Sequence, residues 1–368
     1  MKKRVLAAFM CALLAVSMAA GCGKKEEASD ANVVDMIKEE APEEEIVEES
    51  EEEEVEEENH DGQYRSEITN EWIDESLRDQ RPIAAMVDNE LTALPHYGLS
   101  KADVVYELMN STKNGRITRL MAIVKDWGSI EQLGSIRSVR PTNIMLAEEW
   151  NAVLCHDGGP FYIDPYLASD YSANFSGGFS RVNNGKAREF TEYIMAGDLD
   201  KRFADSKYTT EYNDYYEGPH YQFAEEEQDL SDVSGAIDAT EIKLPFEHNK
   251  STLKYNEETQ TYDYYDYGDL HVDPGNDNAP LTFKNVLIQN CTFHQYDENG
   301  YLIYNCIDNG REGYYITNGK AIPITWIKVS ENGQTKYLDE NGEEIKLNTG
   351  KTYVTLVPDD SWDQMSIK

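Results

Sequence analysis

Ile83-Ala84-Ala85-Met86-Val87-Asp88-Asn89 is a five-residue apolar run closed by two polar residues. It is too short for a helix and reads as a strand buried on both faces. The pattern continues outward from it. Ser100-Lys101-Ala102-Asp103 resembles a capping turn and precedes the strand-like Val104-Val105-Tyr106-Glu107-Leu108, and Ile117 to Val124 is a further apolar strand. Pro141 to Trp150 suits a helix with proline in its first turn, and Ala152 to Cys155 returns to strand. Such a mixture predicts an α/β or α+β domain over residues 63–225.

The second half has a different grammar. Asn-Gly pairs begin at Asn299, Asn309, Asn318, Asn332 and Asn341, with Tyr, Ile, Thr and Val between them. Both residues of the pair tolerate positive φ, so each is a hairpin signal. The acidic Glu225-Glu226-Glu227 and the small, polar stretch from Ser231 to Gly235 mark a boundary. The expected fold is α+β: a mixed N-terminal domain at 63–225, then a mainly antiparallel β domain at 226–368.

The hairpin around Asp297-Glu298-Asn299-Gly300 has a countable register. Tyr296 opposite Tyr301 places Phe293 against Tyr304 and Cys291 against Cys306, a possible disulfide in an exported protein. Two unrelated small hydrophobes are the alternative, and Cys155, alone in an apolar stretch, reads as one.

The N-terminus addresses the chain. Lys2, Lys3 and Arg4 precede an apolar run to Ala20, shorter than the about 20 residues a membrane span needs. Gly21-Cys22 completes the small-residue step of a lipoprotein signal, although Ala19 stands where leucine is commoner. Residues 1–21 therefore read as a signal peptide, Cys22 as the lipidated first mature residue, and the location as the outer face of the bacterial cytoplasmic membrane. An ordinary secretory signal with an incidental Cys22 is the competing reading.

Residues 22–62 form an acidic segment expected to be a disordered tether, since so few apolar side chains cannot offset the entropy of ordering. A cation-binding role for its glutamates is the alternative, without the Asp-x-Asp-x-Asp-Gly spacing of a calcium loop. The formal charge is −37; residues 1–61 hold 19 of 70 acids and 6 of 33 bases, leaving −24 for the rest. That balance excludes nucleic acid as a ligand and argues against flat docking on anionic lipid.

Chemistry concentrates between Gly134 and Gly159. Arg137 and Arg140 precede the helix at Pro141, a ready anion site unless Glu107, Asp88 or other acids pair with them internally. His156 follows a strand and is a candidate base or ligand, or simply a loop hydrogen-bonder. Walker, dinucleotide and His-Glu-x-x-His motifs are missing, so no cofactor or metal is expected. Tyr255, Tyr262, Tyr264, Tyr265 and Tyr267 suit either sugar stacking or cross-strand aromatic pairs.

Several ordered motifs resemble the YerB-like lipoproteins, a bacterial family built around a domain of unknown function. They are Arg81 to Asn89, Tyr97 to Glu107, Arg116-Ile117-Thr118-Arg119, Gly134 to Arg140, Gly319 to Trp326 and Asn348 to Tyr353. The resemblance implies a two-part α+β structure on a lipid anchor, with Asn89, Glu107, Arg119, Arg137, Arg140 and His156 at recurrent polar positions. Arg188-Glu189-Phe190-Thr191-Glu192-Tyr193 departs from the family's Pro-His-Asn step before a tyrosine, which puts any mechanism needing that histidine in doubt.

Two functions follow as expectations. The first is a membrane-anchored module that binds an anionic peptide, wall component or envelope protein near Arg119, Arg137, Arg140 and His156. The second is a wall-processing hydrolase or transferase with Glu107 or His156 as base. Replacing Cys22 by serine should release the protein or leave it unprocessed; a variant matured and retained like the parent would remove the anchor assignment, as fractionation and mass spectrometry of the N-terminus will read.

Overall fold

In a β-strand buried on both faces, alternate residues must serve two cores, and the strand Ile83–Asp88 (β1) does so. Ile83, Ala85 and Val87 join one apolar cluster while Ala84 and Met86 join another. The computed structural model describes residues 59–368; the segments read as signal peptide and, up to residue 58, as tether, with Cys22, lie outside the described residues. No helix among the described residues is long and apolar enough to cross a membrane.

Eleven strands make the main sheet. In chain order they are β1, Val104–Met109 (β2), Thr118–Val124 (β3), Val153–His156 (β4), Asn174–Ser176 (β5), Ile237–Asp238 (β6), Asn285–Cys291 (β7), Asp308–Thr317 (β8), Lys320–Lys328 (β9), Lys336–Leu338 (β10) and Thr352–Pro358 (β11). Their spatial order is β6-β9-β8-β7-β11-β2-β3-β1-β4-β5, with β10 also on β9. The last long strand thus sits inside the sheet, parallel to β7 on one side and to β2 on the other. One sheet crosses the 225/226 boundary, and residues 59–368 belong to a single compact unit.

Among the described residues α-helices are few and short: Pro141–Glu148 (α1), Asp164–Leu167 (α2) and Asp198–Ala204 (α3). The expected balance of helix and strand is therefore corrected to a mainly β structure. The parallel pairs β1–β4, β4–β5, β2–β11 and β7–β11 account for the mixed character, and the last two carry it into the second half. All eight residues of α1 are buried, and its Ile144, Leu146 and Ala147 pack with Met86 and Leu154 on one face of the sheet.

The other face is covered by a six-stranded sheet built from Glu241–Lys243, Thr252–Asn256, Thr261–Asp266, Asp269–Leu270, Thr282–Phe283 and Ser366–Ile367. Ile242, Leu253, Tyr262 and Tyr264 from it pack with Val105, Val286 and Tyr353. The tyrosine ribbon is resolved by alternation. Tyr262 and Tyr264 point inward and are fully buried, while Tyr255 pairs across the strands with Tyr262 at 5.3 Å between ring centroids.

The Asn-Gly pairs divide in use. Asn318-Gly319 closes the β8–β9 hairpin with both residues at positive φ, and Thr317 faces Lys320. Asn309-Gly310 lies within β8, where the register shifts between Asp308 and Arg311, so that pair makes a bulge and not a turn. In the Asp297 hairpin Phe293 faces Tyr304, and the ladder reaches Thr292 and Asn305. There it ends, because Cys291 is taken up by β7 opposite Pro358 of β11. Cys291 and Cys306 are buried free thiols in this structure.

Because β2 takes a neighbour from β11, residues 63–225 alone would expose the middle of a sheet. A fragment ending at residue 225 should show no cooperative unfolding in urea followed by Trp127 and Trp150 fluorescence. A native-like transition from that fragment would contradict this dependence.

A candidate anion-binding cleft

Strand register brings the first charged pair together: Asp88, the last residue of β1, lies directly opposite Arg119 of β3. The segment after Gly134 runs along the same strand end, where Arg137 N–H donates to the Met86 carbonyl (2.9 Å). Arg140 follows at the N-cap of α1, and its N–H donates to Asn143 Oδ1 (3.2 Å). Three guanidinium groups are thus delivered to one end of β1 by a ladder, a loop and a helix start.

Their partners are unequal. Asp88 is 2% exposed and takes Arg137 Nε at 2.8 Å and Arg119 Nη2 at 3.6 Å. Arg137 also reaches Glu189 at 3.1 Å and lies over the Phe190 ring at 5.5 Å. The segment that departs from the family pattern therefore supplies one wall. Arg119 donates to the Ser138 carbonyl at 2.9 Å. Arg140, only 5% exposed, makes no carboxylate ion pair among the described residues. It donates to the Val139 carbonyl (3.0 Å), stacks on Tyr301 at 3.9 Å, and leaves Nε without a partner.

Burial, and then the charge of Arg119, push the Arg140 guanidinium down to about 10; burial lowers Arg119 as well, against the pull of Asp88. A buried cation beside a second cation, facing a cleft of about 500 Å³, is an arrangement that an incoming anion would relieve. Asn110 and Ser111 at the exit of β2, with Asn299 and Tyr301 from the hairpin, also line it, as do the charged Glu90 and Lys113. The isolated bridge between Ser111 and Tyr301 holds that hairpin in place. Tyr301 carries no sequence signal for this role, since only the tertiary approach of the hairpin brings it to Arg140.

The other expected site residues lie elsewhere. Glu107 is fully buried under the six-stranded sheet. Its Oε1 accepts from Thr118 and Ser251 hydroxyls (2.6 Å each) and from Asn89 Nδ2 (3.3 Å), and its Oε2 from Tyr264 (2.9 Å) and Tyr353. Burial raises its pKa, opposed by those hydroxyl donors. Asn89 belongs to the same network through Thr118 (2.8 Å), and its carbonyl accepts from Asn249 and Tyr267. His156 sits on β4, turned to the Gly158 carbonyl (2.9 Å) and Asn174 Oδ1 (3.3 Å), with its pKa lowered by burial. Neither Glu107 nor His156 lines the cleft, so neither stands as a base against the arginines.

Glu107→Ala would strand several buried donors at once and should cost about 3 kcal/mol or more in urea melts. Glu107→Gln keeps an acceptor oxygen, and the hydroxyls can turn to accept from its amide, so it should lose less. Equal losses for the two variants would show that side-chain volume, and not hydrogen bonding, is what matters there.

Comparison with known proteins agrees with this architecture. The family described as "Protein of unknown function (DUF3048) N-terminal domain" matches residues 68–209, and its C-terminal domain matches residues 242–354. A Bacillus subtilis (strain 168) protein named "Putative lipoprotein YerB" is 25% identical over 310 residues, covering 80% of this chain and 86% of that protein. The crystal structure of Bacillus subtilis YerB superposes with a TM-score of 0.70 at 21% identity, over 83% of this chain and 99% of that one, and so shares the fold. With both segments matched in order, the chain belongs to the DUF3048 family, the group of YerB-like proteins.

Proposed function

We propose that this protein is a lipid-anchored extracytoplasmic binding module whose arginine cleft receives an anionic group of a peptide, wall component or envelope protein. The carrying observation is Arg140, buried, stacked on Tyr301 and without a carboxylate of its own. The lipoprotein name of the Bacillus subtilis relative and the Lys2 to Cys22 signal support the location. A planar guanidinium with a free Nε favours carboxylate or phosphate oxygens over a monatomic anion. A −24 charge outside the N-terminal segment makes the cleft a local exception, which raises its selectivity for an anion presented in the right shape. Binding is favoured over hydrolysis or transfer because Glu107 is enclosed by donors and His156 is engaged on β4.

Stability and binding should separate at Arg140. An uncompensated buried cation does not stabilise the fold, so Arg140→Met should melt within about 1 kcal/mol of the parent, or above it. The same variant should bind a synthetic acidic peptide at least about tenfold more weakly by calorimetry, the loss expected of one charge-assisted contact. The parent should discriminate against the fully amidated peptide. Equal affinity of parent and variant, or no preference for the acidic peptide and none for a phosphodiester polymer, would sink the reading. A loss of several kcal/mol in stability would make Arg140 a structural cation instead.

A further inference from the structure

A second polar cluster lies beyond Asp88, under the opposite side of the β1 exit. After β1 the chain turns through Leu91–Ala93 and Pro95 and delivers His96, which is fully buried. The strands Thr261–Asp266 and Asp269–Leu270 form a tight hairpin in which Asp266 faces Asp269, and His271 N–H donates to the Tyr264 carbonyl. That register puts Tyr264, Asp266 and His271 on one face, the face turned to the main sheet. His96 Nδ1 and His271 Nε2 are hydrogen-bonded at 2.9 Å, and one ring nitrogen of each histidine and one oxygen of Asp266 lie within 4.8 Å of one another. All three residues are 3% exposed or less.

The polar accounting of this cluster does not close on itself. His96 Nε2 donates to the Asp88 carbonyl (2.6 Å), so its Nδ1 lone pair is left to accept from His271 Nε2–H (2.9 Å), the contact a metal would replace. His271 Nδ1 and Asp266 Oδ2 are buried with no hydrogen-bond partner. Among the described residues no lysine or arginine pairs with Asp266, and the charged groups that act on it are acids, Glu107 and Asp269. Two imidazoles and a carboxylate without a counter-cation, one imidazole oriented from behind by a carbonyl, are what a divalent metal requires of its ligands.

We infer that His96 Nδ1, His271 Nε2 and the Asp266 carboxylate form a binding site for a borderline divalent transition metal of the zinc class. An N₂O donor set suits Zn²⁺ far better than Ca²⁺ or Mg²⁺, which take oxygen. Tetrahedral ligation at about 2.0–2.1 Å per Zn–N bond sets the two nitrogens roughly 3.3 Å apart, so the observed pair needs to open by only a few tenths of an ångström. A cavity of about 270 Å³ adjoins the ligands, lined by Leu94, Pro95, Tyr267, Leu270 and Val272. It leaves a fourth position for water or a small ligand. Spacing along the chain hides the set, since His96 and His271 are 175 positions apart.

The test uses the full chain in detergent, stripped with chelator and titrated with Co²⁺ and Zn²⁺. One equivalent should bind, with Co²⁺ giving visible ligand-field bands and Zn²⁺ raising the melting temperature. His271→Gln and Asp266→Asn should each weaken binding by about 100-fold. His294→Gln, an exposed histidine outside the cluster, and Arg140→Met in the cleft should bind as the parent does, which separates this site from the anion reading. Should the ligand variants fail to fold, X-ray absorption of the Zn²⁺-loaded parent decides: two imidazoles in the first shell support the site, and an all-oxygen shell overturns it. Failure of the stripped parent to take up Co²⁺ or Zn²⁺ on titration, or unchanged affinity in folded ligand variants, overturns it equally.

Discussion

The parallel seat of Thr352–Pro358 between Val104–Met109 and Asn285–Cys291 is the constraint on which the rest depends. A strand with a parallel neighbour on each side is buried on both faces, and this one is apolar or threonine throughout apart from Tyr353 and its terminal Pro358. It joins the end of the chain to a segment some 250 residues earlier. Contacts of such long sequence separation are made late, because the loop entropy must be met before the pairing stabilises anything. The two family segments are thus successive along the sequence yet share one sheet.

Glu107 secures that seat chemically. Its carboxylate collects hydroxyls from β3, from β11, from Tyr264 of the covering sheet and from Ser251 just before its strand Thr252–Asn256, so one side chain ties the two sheets together. A buried carboxylate served only by neutral donors specifies which strands must meet, because any other register strands a charge or a donor. The apparent general base is in this way a structural hub, and its burial separates it from the cleft whose arginines it was expected to serve.

Asp88 stands where the fold turns into chemistry. Its carboxylate divides itself between Arg119 and Arg137 on one side, while its carbonyl orients His96 on the other. One residue cannot neutralise three guanidinium groups, and the deficit falls on Arg140, the least exposed of them. The helix start at Pro141 adds its own partial positive charge to that end. On a strongly acidic protein such a focus of positive potential persists only where the backbone holds the groups in place, as the β1 ladder and the α1 N-terminus do here.

Local signals were enough for much of this. The apolar runs at Ile83–Val87, Val104–Leu108 and Ile117–Val124 declared strands because a five-residue run without helical period has one way to be buried, and Pro141 marked its helix start for the same kind of local reason. The hairpin register from Tyr296 to Phe293 followed from counting, since period-two alternation leaves no freedom once the turn is set. Arg119, Arg137 and Arg140 were identifiable as basic residues in an acidic chain, and their convergence is what the ladder between Asp88 and Arg119 added. Other features had no local signature. Asn309-Gly310 reads like a turn and became a bulge because β9 continues past it. Cys291 was taken into the main sheet opposite Pro358, and it and Cys306 are free thiols. His156 and Glu107 were assigned to a site by residue type, yet burial and hydrogen bonding claimed both for the core. His96, Asp266 and His271 meet only because two sheets face each other across Asp88, and no spacing in the chain encodes a contact made by packing two layers together.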